Sequence, residues 1–302
     1  MKFRVVFTIV LVGLVFVGGP LDAQQFRFRA GARENVHPAR AREVVRMVRD
    51  HLGPAMVIGQ PGTDPCRDYG SNDDYYRTCE VREYTLPAGP LTVDAGQNGG
   101  IRVEGWDRNE IHVAAVVNAN ARTEGEAKQL ASAVEVQAGG GKVSATGPRP
   151  ENRQSWSVSY RISVPRRNDV DLQASNGGIT IASVNGRIRF DTTNGGVTLT
   201  DLGGDVRGET RNGGLTVNLT GNQWDGAGLD AQTSNGGVRL AIPDGYNADL
   251  TTRTVNGGFR SDVPMTVQGE LTPRYGISTT LGAGGAPVNV RTTNGGVNIT
   301  RR

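Results

Sequence analysis

The sequence has little of what catalysis and metal binding draw on. Its 302 residues include three histidines and two cysteines. His37, His51 and His112 are scattered along the chain. No His-Glu-x-x-His run, serine nucleophile elbow or phosphate-binding loop occurs. Catalysis needs convergent titratable groups beside a pocket, and no such convergence is visible. Zinc would need further ligands near Cys66 and Cys79, and the neighbouring residues supply none. Aromatic residues make up 6% of the chain, and lysine stands only at 2, 128 and 142. Nearly all the basic charge is therefore arginine. Neither charge sign dominates, since 33 basic and 30 acidic residues leave a formal +3. Val5 to Val17 is the one long apolar run, and it is too short to cross a bilayer comfortably. The expectation is a chain without cofactor, without metal and without a transmembrane helix in its mature part.

Glycine, by contrast, is abundant at 43 residues, and it is ordered. Asn-Gly-Gly begins at Asn98, Asn176, Asn194, Asn212, Asn235, Asn256 and Asn294. The copies at 176, 194 and 212 recur every 18 residues, with half-period copies at Asn185-Gly186 and Gly203-Gly204. Fixed-period self-similarity is the mark of a repeat architecture. Between the turns, residues alternate apolar and polar, which is strand periodicity. Four residues before each Asn stand Leu172, Phe190, Gly208, Ala231, Thr252 and Val290. Two before stand Ala174, Thr192, Thr210, Thr233, Thr254 and Thr292. These small or apolar positions are expected to face inward. The positions between them, starting with Gln173, Asp191 and Glu209, are expected to face out. After the turn, Ile179, Val197, Leu215, Val238, Phe259 and Val297 form an apolar column. Ile181, Leu199, Val217, Leu240 and Ile299 form a second, with Ser261 as its exception.

Columns of like residue are what stacked coils about 4.8 Å apart produce. The pattern therefore predicts an all-β, single-chain parallel β-solenoid with Asn-Gly-Gly turns. Asn-Gly is also a hairpin signal, so an antiparallel meander is the alternative. The meander gives no reason for the same residue at the same place in every coil. Glycine suits the corners because it tolerates positive φ and lets backbones approach. Stacked Asn amides could bond coil to coil, which makes these asparagines structural.

Residues 1–23 read as a secretory signal: Lys2 and Arg4, an apolar run, then Leu21-Asp22-Ala23 before Gln24. The mature chain is expected to be exported, to periplasm, cell surface or medium, so nucleic acid is not an expected partner. Residues 24–60 form a basic leader, with helical spacing of Ala41, Val44, Val48 and Leu52. It reads as a flexible or capping segment, or as a basic amphipathic helix on an anionic surface. Residues 61–84 hold Cys66 and Cys79, an even count that predicts a disulfide in an exported chain. Closing that loop is worth about 3 kcal/mol on the chain-entropy account. The acidic Asp68–Asp74 run departs from the calcium-loop pattern and reads as a polar loop. Residues 85–302 form the repeat domain, interrupted by one helix. Thr123 and Glu126 have capping-box spacing, followed by Ala127, Leu130, Ala131 and Val134 at helical intervals. The last repeat, Asn294 to Thr300, is expected to lie at the open end, where Arg301 and Arg302 discourage edge pairing.

The entry Cys79-Glu80-Val81-Arg82-Glu83, the Trp156-to-Pro165 strand and the serial Asn-Gly-Gly coils with Trp224 carry a resemblance. Over roughly residues 80–302 the chain resembles the bacterial putative-adhesin family of β-strand-repeat domains, a family of unknown function. The resemblance implies a β-solenoid in an exported or envelope-associated protein. It supplies no catalytic residue.

Two outward columns are candidate binding faces. One holds Gln173, Asp191, Glu209, Gln232, Arg253 and Arg291. The other holds Thr180, Thr198, Thr216, Arg239, Arg260 and Asn298. Both run from neutral or acidic towards basic, so Arg239, Arg253, Arg260 and Arg291 are the candidate face for an anionic partner. That partner is a glycan, a wall polymer or an envelope protein. One alternative is an envelope stress-sensing domain. Another is a polysaccharide-active enzyme using Asp191 and Glu209 in adjacent coils with Arg211 nearby, since acids about 5 Å apart suit retaining glycosidases.

Overall fold

Each Asn-Gly-Gly corner carries the chain from a strand of one sheet to a strand of a second. The computed structural model describes residue 66 and residues 75–151, 153–263 and 276–302. The expected signal (1–23), the leader (24–60) and the interior of the disulfide loop lie outside the described residues. The strands before the repeats are β1 (Tyr76–Pro87), β2 (Leu91–Asp94), β3 (Ile101–Trp106) and β4 (Glu110–Ala121). Helix α1 (Glu124–Ser132) follows, then β5 (Glu135–Gly139), β6 (Lys142–Thr146) and β7 (Ser155–Pro165). The regular coils comprise β8 (Val170–Ala174), β9 (Ile179–Ala182), β10 (Asn185–Asn194), β11 (Val197–Thr200), β12 (Gly203–Asn212) and β13 (Leu215–Asn218). Longer corners precede β14 (Gly228–Asn235) and β16 (Ala248–Asn256), which pass through their Asn-Gly-Gly corners into β15 (Val238–Ile242) and β17 (Phe259–Ser261). The chain closes with β18 (Gly276–Leu281), β19 (Pro287–Asn294) and β20 (Val297–Arg301).

Two ten-stranded sheets result. One runs β1-β4-β7-β3-β9-β11-β13-β15-β20-β17, the other β18-β16-β19-β14-β12-β10-β8-β2-β6-β5. The repeat strands pair in parallel and in register: Val197 lies between Ile179 and Leu215, and Thr210 between Thr192 and Thr233. The expected columns are therefore real columns. Their inner faces are buried, Ile179, Ile181, Val197, Leu199, Leu215 and Leu240 almost completely. The early Asn98 copy joins the same stack, since β2 pairs with β8 and β3 with β9.

The asparagines form one continuous ladder. Each amide Nδ2 donates to the Oδ1 of the previous rung, through Asn98, Asn176, Asn194, Asn212, Asn235, Asn294 and Asn256, at 2.7–3.1 Å. A threonine column runs beside it. Thr192, Thr210, Thr233, Thr292 and Thr254 donate to the carbonyls of Gly177, Gly195, Gly213, Gly236 and Gly295. This explains why a hydroxyl recurs at a position buried from water. Thr252 is also buried, but its Oγ1 has no partner among the described residues. Hence Thr210→Val should cost about 1 kcal/mol, whereas Thr252→Val should be neutral or stabilising. Paired denaturant titrations measure both, and equal losses would contradict the assignment.

Three expectations are corrected. First, the Asn-Gly-Gly glycines do not occupy the positive-φ region, which belongs to others such as Gly204, Gly221 and Gly245. Close backbone approach is their reason, as a Cβ on Gly195 would collide with the Gly177 carbonyl. Secondly, parallel pairing does not extend over the whole of 85–302. Strands β1, β4 and β7 pair antiparallel, as do β5 with β6 and β16 with β18.

Thirdly, the last repeat is not at the end of the stack. Strand β19 lies between β14 and β16, and β20 between β15 and β17. The apolar columns give the reason. The last coil supplies Val288, Val290, Val297 and Ile299, all buried. The coil before it carries Ser261 where its neighbours carry Leu or Ile, and its Phe259 is only half-buried. The better-filled coil takes the interior slot, and the coil with the polar exception is left outermost in its sheet.

At the other end, Thr123 caps α1 by accepting the Glu126 N–H, and Ala127, Leu130 and Ala131 are buried against the sheet as expected. The Arg82 guanidinium donates to the Ala131 and Val134 carbonyls, satisfying the helix C-terminus. Cys66 and Cys79 form the expected disulfide. No helix among the described residues is long and apolar enough to cross a membrane.

Candidate binding faces

Strand alternation turns every second side chain outward, so each sheet presents a ruled polar face. On the sheet of β8 and β10, one row reads Asp94, Gln173, Asp191, Glu209, Gln232, Arg291 and Arg253 in spatial order. The passage from acid to base survives the displaced last coil. Glu209 accepts a 2.6 Å bond from Gln232, and Arg291 pairs with Asp230 at 2.6 Å. Asp191 and Glu209 do lie opposite each other across β10 and β12. The next row is balanced by ion pairs. Arg189 and Arg207 both reach Asp205 at 2.9 Å. Those guanidinium bonds, Arg189 first, hold the Asp205 carboxyl below the ordinary aspartate range.

The facing sheet corrects the second column. In spatial order its row is Arg161, Arg102, Thr180, Thr198, Thr216, Arg239, Asn298 and Arg260. Arginine stands at both ends, with three threonines between, so this row does not rise steadily from neutral to basic. The signal was present: Arg102 follows Asn98 at the spacing that Thr180 keeps from Asn176. The four candidate arginines are also divided. Arg253 and Arg291 share one outer face, Arg239 and Arg260 the other, although all four belong to three adjacent coils.

The corners opposite the asparagine ladder hold a feature that sequence reasoning missed. Ser183 and Asp201 have positive φ, which few residues other than glycine adopt. Asp201 accepts from Ser183 at 2.8 Å and from Thr220. The Thr220 bond leads the causes that lower its carboxyl below the usual value, with Ser183, Arg166 and Arg302 assisting. Next to it, Asn185 donates to Asp225 at 2.6 Å. Arg166, Arg167, Asp201 and Asp225 line an open cleft of about 370 Å³ here. Its acids are occupied by these bonds within the turns. Among the described residues, no group of three or more His, Cys, Asp or Glu could hold a metal ion.

A buried threonine column, an asparagine ladder along an exposed edge and ruled polar rows on the outer faces define an all-β strand-repeat protein. The chain belongs to the Toastrack DUF4097 family, whose profile matches residues 91–300. This agrees with the resemblance read from the Asn-Gly-Gly coils. No curated protein matches closely enough to count as a relative. Among solved structures, the chain is similar to a putative cell adhesion protein from Clostridium sporogenes. The identity is 12%, over 75% of this chain and 100% of that one, with a TM-score of 0.40. It is also similar to a putative adhesin from Bacteroides fragilis, at 8% identity over 74% and 97% of the two chains, TM-score 0.29. A putative lipid binding protein from Parabacteroides distasonis is 10% identical over 74% and 96%, TM-score 0.27.

Proposed function

We propose that this chain is an exported, non-enzymatic parallel β-solenoid that holds an anionic polymer on its C-terminal coils. The observation that carries the reading is the placing of Arg253 directly opposite Arg291 across β16 and β19. Like charges in that relation repel, and Asp230 offsets only the Arg291 side of the pair. A polyanion lying along the row offsets the repulsion and needs no deep pocket. Arg239 and Arg260 flank Asn298 in the same three coils on the opposite face. The partner class is an acidic glycan or wall polymer, or an acidic envelope protein. Export is supported by the secretory pattern of residues 1–23 and by the disulfide, which suits an oxidising compartment.

The test is retention on an immobilised acidic glycan at low salt. Replacing Arg239, Arg253, Arg260 and Arg291 together by Gln should weaken it roughly tenfold. Exposed charge contacts contribute about 0.2–1 kcal/mol each, and four at about 0.35 kcal/mol each give the tenfold, about 1.4 kcal/mol. Added salt should weaken the native protein similarly. Unchanged retention of the quadruple variant removes the reading. A membrane-anchored signalling protein recovered by pull-down would favour the stress-sensing alternative.

A further inference from the structure

The chain contains eight Asn-Gly steps: the seven ladder positions and Asn185-Gly186. An Asn-Gly step can process itself. The glycine backbone nitrogen attacks the asparagine Cγ, closing a five-membered succinimide, and the side-chain nitrogen leaves as ammonia. Water then opens the ring to aspartate or to its β-linked isomer. Glycine favours the step because it puts no Cβ in the way. In a folded chain the amide must also leave its hydrogen bonds, and the glycine N–H must leave its acceptor.

The ladder imposes both requirements unequally. Asn212, Asn235 and Asn294 each donate to one neighbouring asparagine and accept from another. The N–H groups of Gly213, Gly236 and Gly295 are also tied, each at 3.0 Å, to the asparagine carbonyl of the next rung. Asn256 occupies the last rung. It donates to Asn294 at 2.8 Å, and no described coil lies beyond it to accept the Gly257 N–H. A second observation marks the same opening. A Cβ on Gly237 or Gly296 would meet the next rung's glycine carbonyl at 3.4 or 3.2 Å, whereas one on Gly258 would meet nothing within 4 Å. Asn256, Gly257 and Gly258 are all exposed. Asn98, on the first rung, differs because Gly99 is buried and a Cβ there would collide with the Val158 carbonyl.

We propose that Asn256-Gly257 is a self-modifying site, a ladder position at which the fold leaves open the succinimide formation that it closes at Asn212, Asn235 and Asn294. The product has a consequence for the stack. The amide donor facing Asn294 Oδ1 becomes a carboxylate oxygen, so two acceptors then oppose each other. The β-linked isomer also adds a backbone carbon where the rungs are closest. Modification therefore loosens β16 and β17 from β19 and β20.

Peptide mapping by mass spectrometry tests this on the full chain, sampled over time in warm, mildly alkaline buffer. The peptide containing Asn256 should convert at least roughly tenfold faster than those containing Asn212, Asn235 or Asn294. That factor corresponds to one hydrogen bond that need not be broken. In urea the sites should become comparable, showing that fold rather than sequence sets the difference. Asn256→Gln should abolish the fast phase. Equal rates in the folded chain, a faster Asn98, or a fast phase that persists in Asn256→Gln each overturn the assignment.

Discussion

Gly213→Ala should unfold the C-terminal half of the stack under conditions where Gly214→Ala leaves the protein intact. The two glycines are adjacent in sequence and both sit in the Asn212 corner. Their surroundings differ. A Cβ on Gly213 would overlap the carbonyl of Gly195 and come within 2.9 Å of the Gly196 nitrogen. Those are backbone atoms of the neighbouring rung, so they cannot swing aside as a side chain would. Relief requires the rungs to separate, which breaks the Asn194–Asn212 amide bond and the Thr210 bond to the Gly195 carbonyl. The expected loss is about 3 kcal/mol or more, at the severe end of overpacking. On Gly214 the nearest atom to a new Cβ would be the Gly237 carbonyl oxygen at 3.6 Å, an ordinary contact. Its φ also lies outside the positive range. Gly214→Ala should shift stability by under about 1 kcal/mol in either direction. Denaturant titrations of the two variants check the contrast. Equal effects would mean that the first glycine is kept for its backbone conformation and not for rung spacing.

Much of this was legible because the repeat compares the chain with itself. Columns such as Ile179, Val197 and Leu215 are visible as soon as the Asn-Gly-Gly copies are aligned, and in-register parallel pairing follows from them. The threonine row was readable as inward, but its acceptors were not, since the Gly177 carbonyl belongs to another rung. The antiparallel β1, β4 and β7 region escaped because it has no repeat to align. On the outer faces, rows can be listed from sequence only when the spatial order of coils is known. Chain order and spatial order part at two places, where Asn98 meets Asn176 and where Asn294 enters between Asn235 and Asn256. Those are also the places where the charge row of Thr180 was misread and the final coil misplaced. Ser183 left no signal of its positive φ, and the signal at Asp201, a residue type enriched there, went unread.

A chain ending at Ala286 should lose far more than one coil. If the final repeat were an end cap, its removal would expose one new edge and leave every earlier rung standing. In the observed order it is a middle rung, with β14 and β15 on one side and β16 and β17 on the other. Truncation deletes Val288, Val290, Val297 and Ile299, four side chains buried almost completely. At about 1.5–3 kcal/mol each, their burial contributes roughly 6–12 kcal/mol. That rivals the whole stability of an ordinary domain, about 5–15 kcal/mol. The amide ladder is cut as well, because Asn294 is the link between Asn235 and Asn256. Residues 248–261 could recover only by moving across into the vacant slot. They would then set Ser261 where Ile299 had been and Phe259 where Val297 had been, which leaves the column poorly filled. Rungs far from the cut are held by their own neighbours, since stability in such stacks is nearest-neighbour in character. Limited proteolysis of the truncated chain should therefore cleave throughout 219–261 while residues 75–218 resist. Protection of 248–261 equal to that in the full chain would show that the last coil is dispensable and that its interior place has no energetic meaning.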